Sequence, residues 1–392
     1  MDLTGIAVQF LNGLAQASSL FLVAVGLSLI FGVTRIVNFA HGSLYMLGIY
    51  IAYSAVGHWG HDPLGFWLSL IAASLAVGVL GALIEIIVLR RIYRAPELFQ
   101  LLATFGLVLV INDAALWAWG PDDLLGPLAP GLSGAIPVFG RYIPVYDLVL
   151  IVVGPALLVC LWLLLTRTRW GSLIRAATQD RTMLGALGVN QAWLFTSVFA
   201  LGSFLAGLGG AIQIPRQPAS LGLDLSVIGD AFVVVVVGGM GSIPGAYLAA
   251  LIIAELKALC IGLGVVSFGD VTLAFPKLTL VIEFVFMALV LVVRPWGLLG
   301  KPLAFIRSAG SQEAPLRWAT PWFNRFMLVI FLGLAALPLL SEAIPYAPVL
   351  ALDIIVAALF AASLHFMMGP GGMPSFGHAA YFGLGAYGAA LL

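Results

Sequence analysis

Long runs of apolar residues, separated by short polar or glycine-rich stretches, divide the chain into predicted membrane helices. Runs of this length fit a helix across the hydrocarbon core, and they lack the alternation of barrel strands. Nine spans are predicted in the first 300 residues, at 6–30, 39–57, 65–89, 98–119, 146–165, 192–214, 229–240, 244–262 and 276–293. Two more follow at 323–340 and 347–368, and another begins before Leu392. The predicted fold class is an all-α polytopic membrane protein.

The segment 229–240 is too short to cross the membrane as a straight helix. It runs into the breaker cluster Gly-Gly-Met-Gly-Ser-Ile-Pro at 238–244. Irregular backbone at membrane depth is tolerated where protein or a water-filled cavity covers it. We therefore predict a broken or re-entrant helix near a pathway, with Gly238, Gly239 and Gly241 as candidates for its lining or gate.

Composition agrees with a lipid environment and excludes several classes of function. Apolar residues make up 62% of the chain and charged residues only 9%, against about 25% charged in soluble domains. The net charge is zero, so no nucleic-acid partner is expected. Cys160 and Cys260 both lie in apolar segments, which argues against a disulfide framework or a cysteine metal site. No metal or other cofactor is predicted.

The positive charges predict which loops face the cytoplasm. Arginines and lysines cluster in three connecting regions: Arg90, Arg91 and Arg94; Arg167, Arg169, Arg175 and Arg181; and Arg294, Lys301, Arg307, Arg317 and Arg325. By the positive-inside rule these three regions are cytoplasmic. The loops 120–142 and 215–226 between them are then predicted to face outward.

A repeated motif indicates that the chain contains two related domains. Residues 38–50, from Asn38 through His41 to Tyr50, align without gaps on residues 375–387, which include His378. A repeat separated by 337 residues marks a duplicated domain rather than a short solenoid unit. We predict a first permease-like domain at 1–300, a polar cytoplasmic linker at 301–322, and the N-terminal part of a truncated homologous domain at 323–392.

Three motifs resemble a known family of transport proteins. They are Ile-Val-Asn-Phe-Ala-His-Gly at 36–42, Gly-Gly-Met-Gly-Ser-Ile-Pro-Gly-Ala at 238–246 and Val-Arg-Pro-Trp-Gly-Leu-Leu-Gly at 293–300. Together they resemble the permease subunits of branched-chain amino-acid ABC importers, and residues 369–387 resemble the start of the paralogous partner permease.

This resemblance implies a type I ABC importer of the bacterial inner membrane. Two permease halves would form the pore, and two separate ATP-binding subunits would drive it. A periplasmic or lipid-anchored binding protein would deliver the amino acid. Amide and urea importers share this architecture, so they remain an alternative.

The chain has no Gly-x4-Gly-Lys-Ser/Thr phosphate loop, so we expect no ATP hydrolysis by the chain itself and no enzymatic activity. ATP and Mg²⁺ would be used by the partner subunits. The long loop 166–191 is the predicted contact with them, and its residues 175–190 can form a short helix.

That segment resembles the coupling helix of ABC permeases, although Arg175 replaces the glutamate that opens the usual Glu-Ala-Ala pattern. The candidate coupling residues are Arg175, Ala176, Ala177, Asp180, Arg181, Gly185 and Gly188. A solvated loop with arginines at lipid headgroups is the alternative.

Polar residues inside predicted spans are the remaining candidates for the translocation path. Asn38, His41 and His378 can line a path or gate, or else cap and pack helices. Glu255 and Glu283 with Lys257 can form a buried network, which is either a structural clasp or a polar lining. Glu85 is predicted to form a structural pair with Arg90.

Two further hypotheses belong to other classes of protein. One is a secondary transporter coupled to protons or sodium, with Glu255 or Glu283 as the proton carrier. The other is a fragment that transports nothing, because its second half is incomplete. Dependence of uptake on ATP rather than on an ion gradient distinguishes the importer from the first of these.

Overall fold

The computed structural model describes residues 3–93, 95–138, 140–268, 271–300, 320–336, 346–369, 375 and 377–392. The chain divides into two compact units, Met1–Ala304 and Phe305–Leu392, which are described separately below. Arg94, residues 301–319 of the predicted linker and the end of the predicted span 323–340 lie outside the described residues.

The described residues of the first unit form nine long helices, one at each of the nine predicted spans. They are α1 (Leu3–Thr34), α2 (Ala40–Trp59), α3 (Pro63–Ile84) with a π-helical turn (Glu85–Leu89) and α4 (Arg90–Ile92) continuing it, α5 (Glu97–Trp119), α6 (Val145–Arg167), α9 (Gln191–Ala211), α10 (Leu223–Gly238), α11 (Ile243–Leu263) and α12 (Phe275–Val293). The short helices α7 (Arg169–Gln179) and α8 (Arg181–Ala186) connect α6 to α9.

Eight helices of the described chain are long and apolar enough to cross a membrane, seven of them in the first unit. The two long helices of that unit outside this set are α2 and α10. Helix α2 is buried along most of its length, packing against α3, α9 and α10. Because protein rather than lipid surrounds it, it tolerates His41, Ser43 and several glycines. Helix α10 has only 16 residues and ends at Gly238, so the predicted short, interrupted helix is confirmed.

Small residues allow α1, α2 and α9 to pack closely at the centre of the bundle, as small residues do in membrane helices. A Cβ atom at Gly48 of α2 would lie 2.3 Å from the carbonyl oxygen of Gly207 on α9. One at Gly26 of α1 would lie 2.5 Å from the carbonyl oxygen of Gly202. These contacts are backbone to backbone and leave no space for a side chain.

Side-chain caps define where several helices begin. Asp62 accepts a hydrogen bond from the Gly65 N–H at 3.3 Å and precedes a proline at the first position of α3. Ser242 accepts from the Gly245 N–H at 3.2 Å at the start of α11. Asn190 accepts from the Trp193 N–H at 3.1 Å at the start of α9. Each cap satisfies a backbone donor that has no partner within its helix.

The predicted outward-facing loops meet at one end of the bundle. Two short antiparallel hairpins, β1 (Ala135–Val138) with β2 (Arg141–Pro144) and β3 (Val265–Phe268) with β4 (Val271–Ala274), connect α5 to α6 and α11 to α12. Leu124 and Ala219 from the two predicted outer loops exchange backbone hydrogen bonds of 3.0 and 2.9 Å. We call this the outer end, and the opposite one the inner end.

One predicted loop boundary is wrong. The predicted outer loop covers residues 215–226, but α10 already begins at Leu223. Asp224 lies in its first turn, where an acidic side chain is favoured by the helix dipole. Its carboxylate accepts a hydrogen bond of 3.2 Å from Asn112 of α5. This buried contact stabilises a helix start that the apolar pattern alone does not reveal.

The second unit contains three described helices, α13 (Pro321–Ala336), α14 (Ala347–Met368) and α15 (His378–Leu391). Helix α14 coincides with the predicted span 347–368 and is long and apolar enough to cross a membrane. Helix α15 starts at His378, as α2 starts one residue before His41. The predicted order of helices is therefore present in the described part of this unit.

Candidate functional site

A charged cluster joins α10, α11 and α12 in the outer half of the bundle. The Nζ atom of Lys257 lies 2.7 Å from Oδ2 of Asp230 and 2.8 Å from Oε2 of Glu283. The predicted pairing of Lys257 with Glu283 is thus present. Asp230 was missed, although a carboxylate inside an apolar run is a recognised signal for a functional group in a membrane helix.

Glu255 does not belong to this cluster, which corrects the predicted network of two glutamates and one lysine. It lies two residues before Lys257 on α11, and such positions do not share a helix face. Its carboxylate faces α1, where a Cβ atom at Gly13 would lie 2.8 Å from Oε1. Both carboxylate oxygens are buried and have no hydrogen-bond partner among the residues that the structure describes.

A second ion pair lies closer to the outer end. The Nε atom of Arg216, in the turn after α9, lies 3.0 Å from Oδ1 of Asp147 in the first turn of α6. Neither residue was predicted as part of the site. Asp147 lies in the first turn after a hairpin that the sequence analysis did not predict. No local sequence pattern therefore indicated that Asp147 would lie near the connection between α9 and α10.

Two cavities lie along this charged region. The shallow cavity, about 440 Å³, is lined by residues from the outer ends of α1 and α11, by the β2 hairpin and by Asp147 and Arg216. The deep cavity, about 300 Å³, lies further along α1 and α11 and contacts Asp230, Lys257, Arg216 and Tyr45. Gln16 and Arg216 line both cavities.

His41 lies next to the inner limit of the deep cavity. Its Nε2 atom donates a hydrogen bond of 3.0 Å to the carbonyl oxygen of Val23, a residue that lines the deep cavity. The ring is fully buried, with 0% exposure, between α1 and α9. Asn38 precedes α2, where its Oδ1 accepts from the Ala40 N–H at 3.1 Å. Both residues therefore cap or pack helices, and a role as a gate stays a prediction.

The breaker glycines form tightly packed backbone contacts at the inner end. The Gly238 carbonyl oxygen accepts a hydrogen bond of 3.1 Å from the Leu299 N–H. Gly239 has a φ of 98°, which a residue with a side chain rarely adopts, and its Cβ position would lie 2.4 Å from Gly300 N. The Gly241 N–H donates to Ser28 Oγ at 3.1 Å. These glycines join α1, α10 and the segment after α12.

The predicted coupling helix is instead two helices, α7 and α8, which we call the elbow. The helix breaks at Asp180, whose Oδ1 accepts a hydrogen bond of 3.0 Å from the Met183 N–H. Aspartate favours such a capping position over the middle of a helix. Ala177 is buried and Ala176 half-buried. Arg181 opens α8, but its side chain lies outside the described part of the chain.

Arg175 has a structural contact in the elbow. Its guanidinium donates to the carbonyl oxygen of Leu165 near the end of α6 and to Ser172 Oγ at 3.3 Å. A cation at the C-terminal end of a helix satisfies carbonyl groups that have no partner within it. Gly188, with a φ of 82°, lies in the turn that follows the end of α8 at Ala186. Gly185 packs against Gln191, since a Cβ atom there would lie 2.3 Å from its Nε2.

The predicted pair of Glu85 and Arg90 is confirmed and is part of a larger cluster near the inner end. Arg90 binds the fully buried Glu85 carboxylate with its Nη2 at 2.9 Å. Thr196 donates to Glu85 Oε2 at 2.6 Å and Tyr93 to Oε1 at 3.1 Å. This cluster fixes the π-helical turn of α3 to α9.

In the second unit, His378 contacts the helix that precedes it. Its Nε2 atom lies 2.7 Å from Ser363 Oγ, and its ring centroid is 5.2 Å from that of Phe360. Its predicted role in a path or gate is not tested by these contacts and stays a prediction.

Comparison with known proteins identifies the family. A family described as "Branched-chain amino acid transport system / permease component" matches residues 9–292. The chain is 30% identical over 304 residues to the high-affinity branched-chain amino acid transport system permease protein BraD of Pseudomonas aeruginosa, covering 75% of this chain and 95% of BraD.

Two permeases of Escherichia coli are also similar. LivH is 27% identical over 313 residues, covering 75% of this chain and 95% of LivH. LivM is 26% identical over 262 residues, covering 61% of this chain and 60% of LivM. No solved structure matches the chain significantly. The chain is a multi-pass inner-membrane protein, and it belongs to the family of branched-chain amino acid transport system permease components.

Proposed function

We propose that this chain forms one permease half of an ATP-driven importer for leucine, isoleucine and valine. The relatives named above are permeases of branched-chain amino acid transport systems, which supports the class of substrate. The elbow is the observation that supports transport driven by ATP. One of its sides is packed firmly against the membrane helices, and its other side is exposed and apolar.

The buried side of the elbow contacts the ends of several membrane helices. Ile174 and Ala177 are buried, and Arg175 binds the end of α6. The methyl group of Thr178 would lie 3.6 Å from a Cβ atom at Gly32 of α1, next to Gly241. A displacement of the elbow therefore reaches α1 and α6 directly, and it reaches the α10–α11 break through Gly32 of α1, which lies next to Gly241.

The exposed side of the elbow is suited to contact with a partner protein. Met183 of α8 and Leu187, the residue directly after α8, are 61% and 73% exposed, although both are apolar and lie at a surface predicted to face the cytoplasm. Adjacent exposed apolar side chains of this kind mark interaction sites. An ATP-binding subunit occupies this face in our proposal. Closure of two such subunits would move the elbow and switch the permease between outward-open and inward-open states.

The other components follow from this mechanism. A binding protein delivers the amino acid at the outer end, and a second permease half completes the wall of the path. ATP and Mg²⁺ are bound by the partner subunits, and this chain binds no cofactor. Residues 323–392 belong to a second permease domain, a proposal supported by the repeated motif and by the matching contacts of His41 and His378.

Uptake by the assembled importer tests the function. The chain would be reconstituted into liposomes with the ATP-binding subunits, binding protein and partner permease of its own system. We expect uptake of radiolabelled leucine that requires internal Mg-ATP and persists when a protonophore collapses the proton gradient. Loss of uptake with the protonophore, and persistence without ATP, would favour the ion-coupled alternative. Glu255→Gln should likewise leave the ATP requirement unchanged.

A substitution at the elbow tests the docking of the motor. Leu187→Glu should reduce co-purification of the ATP-binding subunits and ATP-dependent uptake at least about tenfold. The substitution places a charge where the proposed interface buries an apolar side chain. Leu125→Glu is the matched control, because Leu125 is also 73% exposed but lies in the outer loop. The control should retain the subunits. Equal retention by both variants would contradict docking at the elbow.

The amide and urea alternative predicts a different competition pattern. Neutral amides need no charged partners, whereas the deep and shallow cavities contain side chains of both signs. Excess acetamide or urea should leave leucine uptake unchanged, and excess isoleucine or valine should reduce it.

A further inference from the structure

The shallow and deep cavities follow each other along α1 and α11 and share Gln16 and Arg216 in their walls. Along α1 the shallow cavity contacts residues from Val8 to Gln16, and the deep cavity contacts residues from Gln16 to Val23. At a rise of 1.5 Å per residue this stretch spans about 22 Å of helix. Along α11 the order is the same, with Ala258 and Ile261 in the shallow cavity and Ala254 and Lys257 in the deep one.

Arg216 lies where the two cavities meet. It lines both of them and forms its ion pair with Asp147 of the shallow cavity. A guanidinium has five N–H donors in a fixed, planar arrangement. A single carboxylate oxygen cannot accept hydrogen bonds from all five donors. Arginine binds carboxylates with two parallel hydrogen bonds. Arg216 can therefore receive the carboxylate of a ligand while it stays next to Asp147.

Asp230 supplies the opposite charge within the deep cavity. Lys257 is shared between Asp230 and Glu283, so these two carboxyl groups have one cation between them. The Glu283 side chain is only 4% exposed, but that of Asp230 is 30% exposed. A ligand in the deep cavity can thus reach Asp230, and an ammonium group there would provide the missing cation.

The remaining walls of the deep cavity are partly apolar. Leu20 and Val23 from α1 and Leu223 and Val227 from α10 are among its lining residues. Its volume, about 300 Å³, lies at the lower end of the range for small-molecule sites, roughly 300 to 1,000 Å³. The cavity therefore combines a cation, an anion and an aliphatic surface within the volume of a small ligand.

We propose that the deep cavity is a binding site for an aliphatic amino acid in its zwitterionic form. In this site the Arg216 guanidinium binds the ligand carboxylate, Asp230 binds the ligand ammonium group, and the α1 and α10 side chains contact the aliphatic group. The assignment rests on the proposed function, and it adds a selective site within the permease itself. The permease would then discriminate among ligands after the binding protein has released them.

Binding of three related compounds tests the site. The probes are L-leucine, L-leucinol, which lacks the carboxylate, and 4-methylpentanoate, which lacks the ammonium group. Binding would be measured by displacement of radiolabelled leucine from the purified complex of this chain with its partner permease and ATP-binding subunits, without the binding protein. For the unaltered complex, leucine should bind at least tenfold more tightly than either analogue.

The variants distinguish recognition from a structural effect. Arg216→Gln should weaken leucine binding at least tenfold and leave leucinol binding unchanged, because leucinol never used the guanidinium. Asp230→Asn should weaken leucine and leucinol, which carry the ammonium group, and spare 4-methylpentanoate. Arg91→Gln and Asp122→Asn, which remove the same charges at exposed positions outside both cavities, should change none of the three affinities.

Arg216→Gln alone leaves Asp147 without its ion-pair partner and could fail to fold for that reason. The double variant Arg216→Gln/Asp147→Asn removes both charges and avoids this problem. It should show the same selective loss of leucine binding. Equal weakening of leucine and leucinol in the Arg216 variants would overturn the proposal, as would equal affinities of the unaltered complex for all three probes. ATP-dependent leucine uptake by the unaltered complex, measured in parallel, shows whether the importer function itself stands.

Discussion

The two copies of the repeated motif make the same helix-to-helix contact in different surroundings. In the first unit His41 of α2 contacts Val23 and lies against Gly26 of α1. In the second unit His378 of α15 contacts Phe360 and Ser363 of α14. Val23 corresponds to Phe360 and Gly26 to Ser363, because each pair is separated by the same 337 residues as the two histidines. The motif therefore specifies a pair of helices and the turn at which they meet.

The surroundings of the two pairs differ because, among the described residues, only the first pair has a third helix of its own unit packed against it. Gly48 of α2 contacts the backbone of α9 at Gly207. Gly385, at the equivalent position of α15, has nothing within 4 Å of its Cβ position among the described residues. The same glycine thus contributes to a close packing contact in one copy and stays open in the other. Burial of the motif depends on α9, not on the motif itself.

The largest difference between the copies is expected from removal of the histidine ring. His41→Ala should lower the free energy of unfolding by about 3 kcal/mol, because it leaves a cavity and an unpaired Val23 carbonyl group in the core. His378→Ala should cost less than about 1 kcal/mol, because the ring is only half-buried and its partner can turn to water. Thermal unfolding in detergent, followed by size-exclusion chromatography of the heated sample, measures both.

A glycine substitution should change stability with opposite signs in the two copies. Gly48→Ala places a Cβ atom 2.3 Å from the Gly207 carbonyl oxygen, and overpacking of this kind costs about 2 kcal/mol. Gly385→Ala meets no atom within 4 Å in the described chain, so it should stabilise α15 by about 0.5 to 1 kcal/mol through helix propensity. Destabilisation by Gly385→Ala would mean that this face of α15 is covered in the assembled protein.

Much of the fold was predictable because its signals are local. Apolar runs gave all nine long helices of the first unit, with α3, α6 and α12 starting within two residues of their predicted positions. The glycine cluster predicted the end of α10, and the pairing of Glu85 with Arg90 was predicted because they lie close together along one helix; the π-helical turn Glu85–Leu89 brings the two residues into contact. Each of these inferences needs only neighbouring residues.

The candidate site was less predictable because its residues come together over long distances in the sequence. Asp147 lies in α6 and Arg216 in the turn after α9, and the two residues meet only after α6 and α9 pack against α1. Glu255 and Lys257 are neighbours on α11, so the sequence grouped them, but helix geometry directs them to different partners. The break of the elbow at Asp180 carried a local signal, a capping residue within a helical pattern, that the prediction did not use.

The smallest expected effect isolates the hydrogen bond that only the second copy contains. Ser363 Oγ donates to the Phe360 carbonyl at 2.8 Å and contacts His378 Nε2 at 2.7 Å, whereas Gly26 in the first copy has no side chain. Ser363→Ala should therefore weaken the contact of α14 with α15 by about 0.5 kcal/mol, the lower end of the net range for such a bond, because the His378 ring is only half-buried. Hydrogen exchange of α15 amides should accelerate about twofold as a result.

A double-mutant cycle attributes this effect to the pair rather than to the serine alone. If the bond to His378 accounts for it, Ser363→Ala should have no further effect in a His378→Ala background, since the partner is already absent. Additive effects of the two substitutions would assign the loss to the intrahelical bond with Phe360. The contact of His378 would then rest on its ring alone, and the two copies would share only the packing of the histidine against the preceding helix.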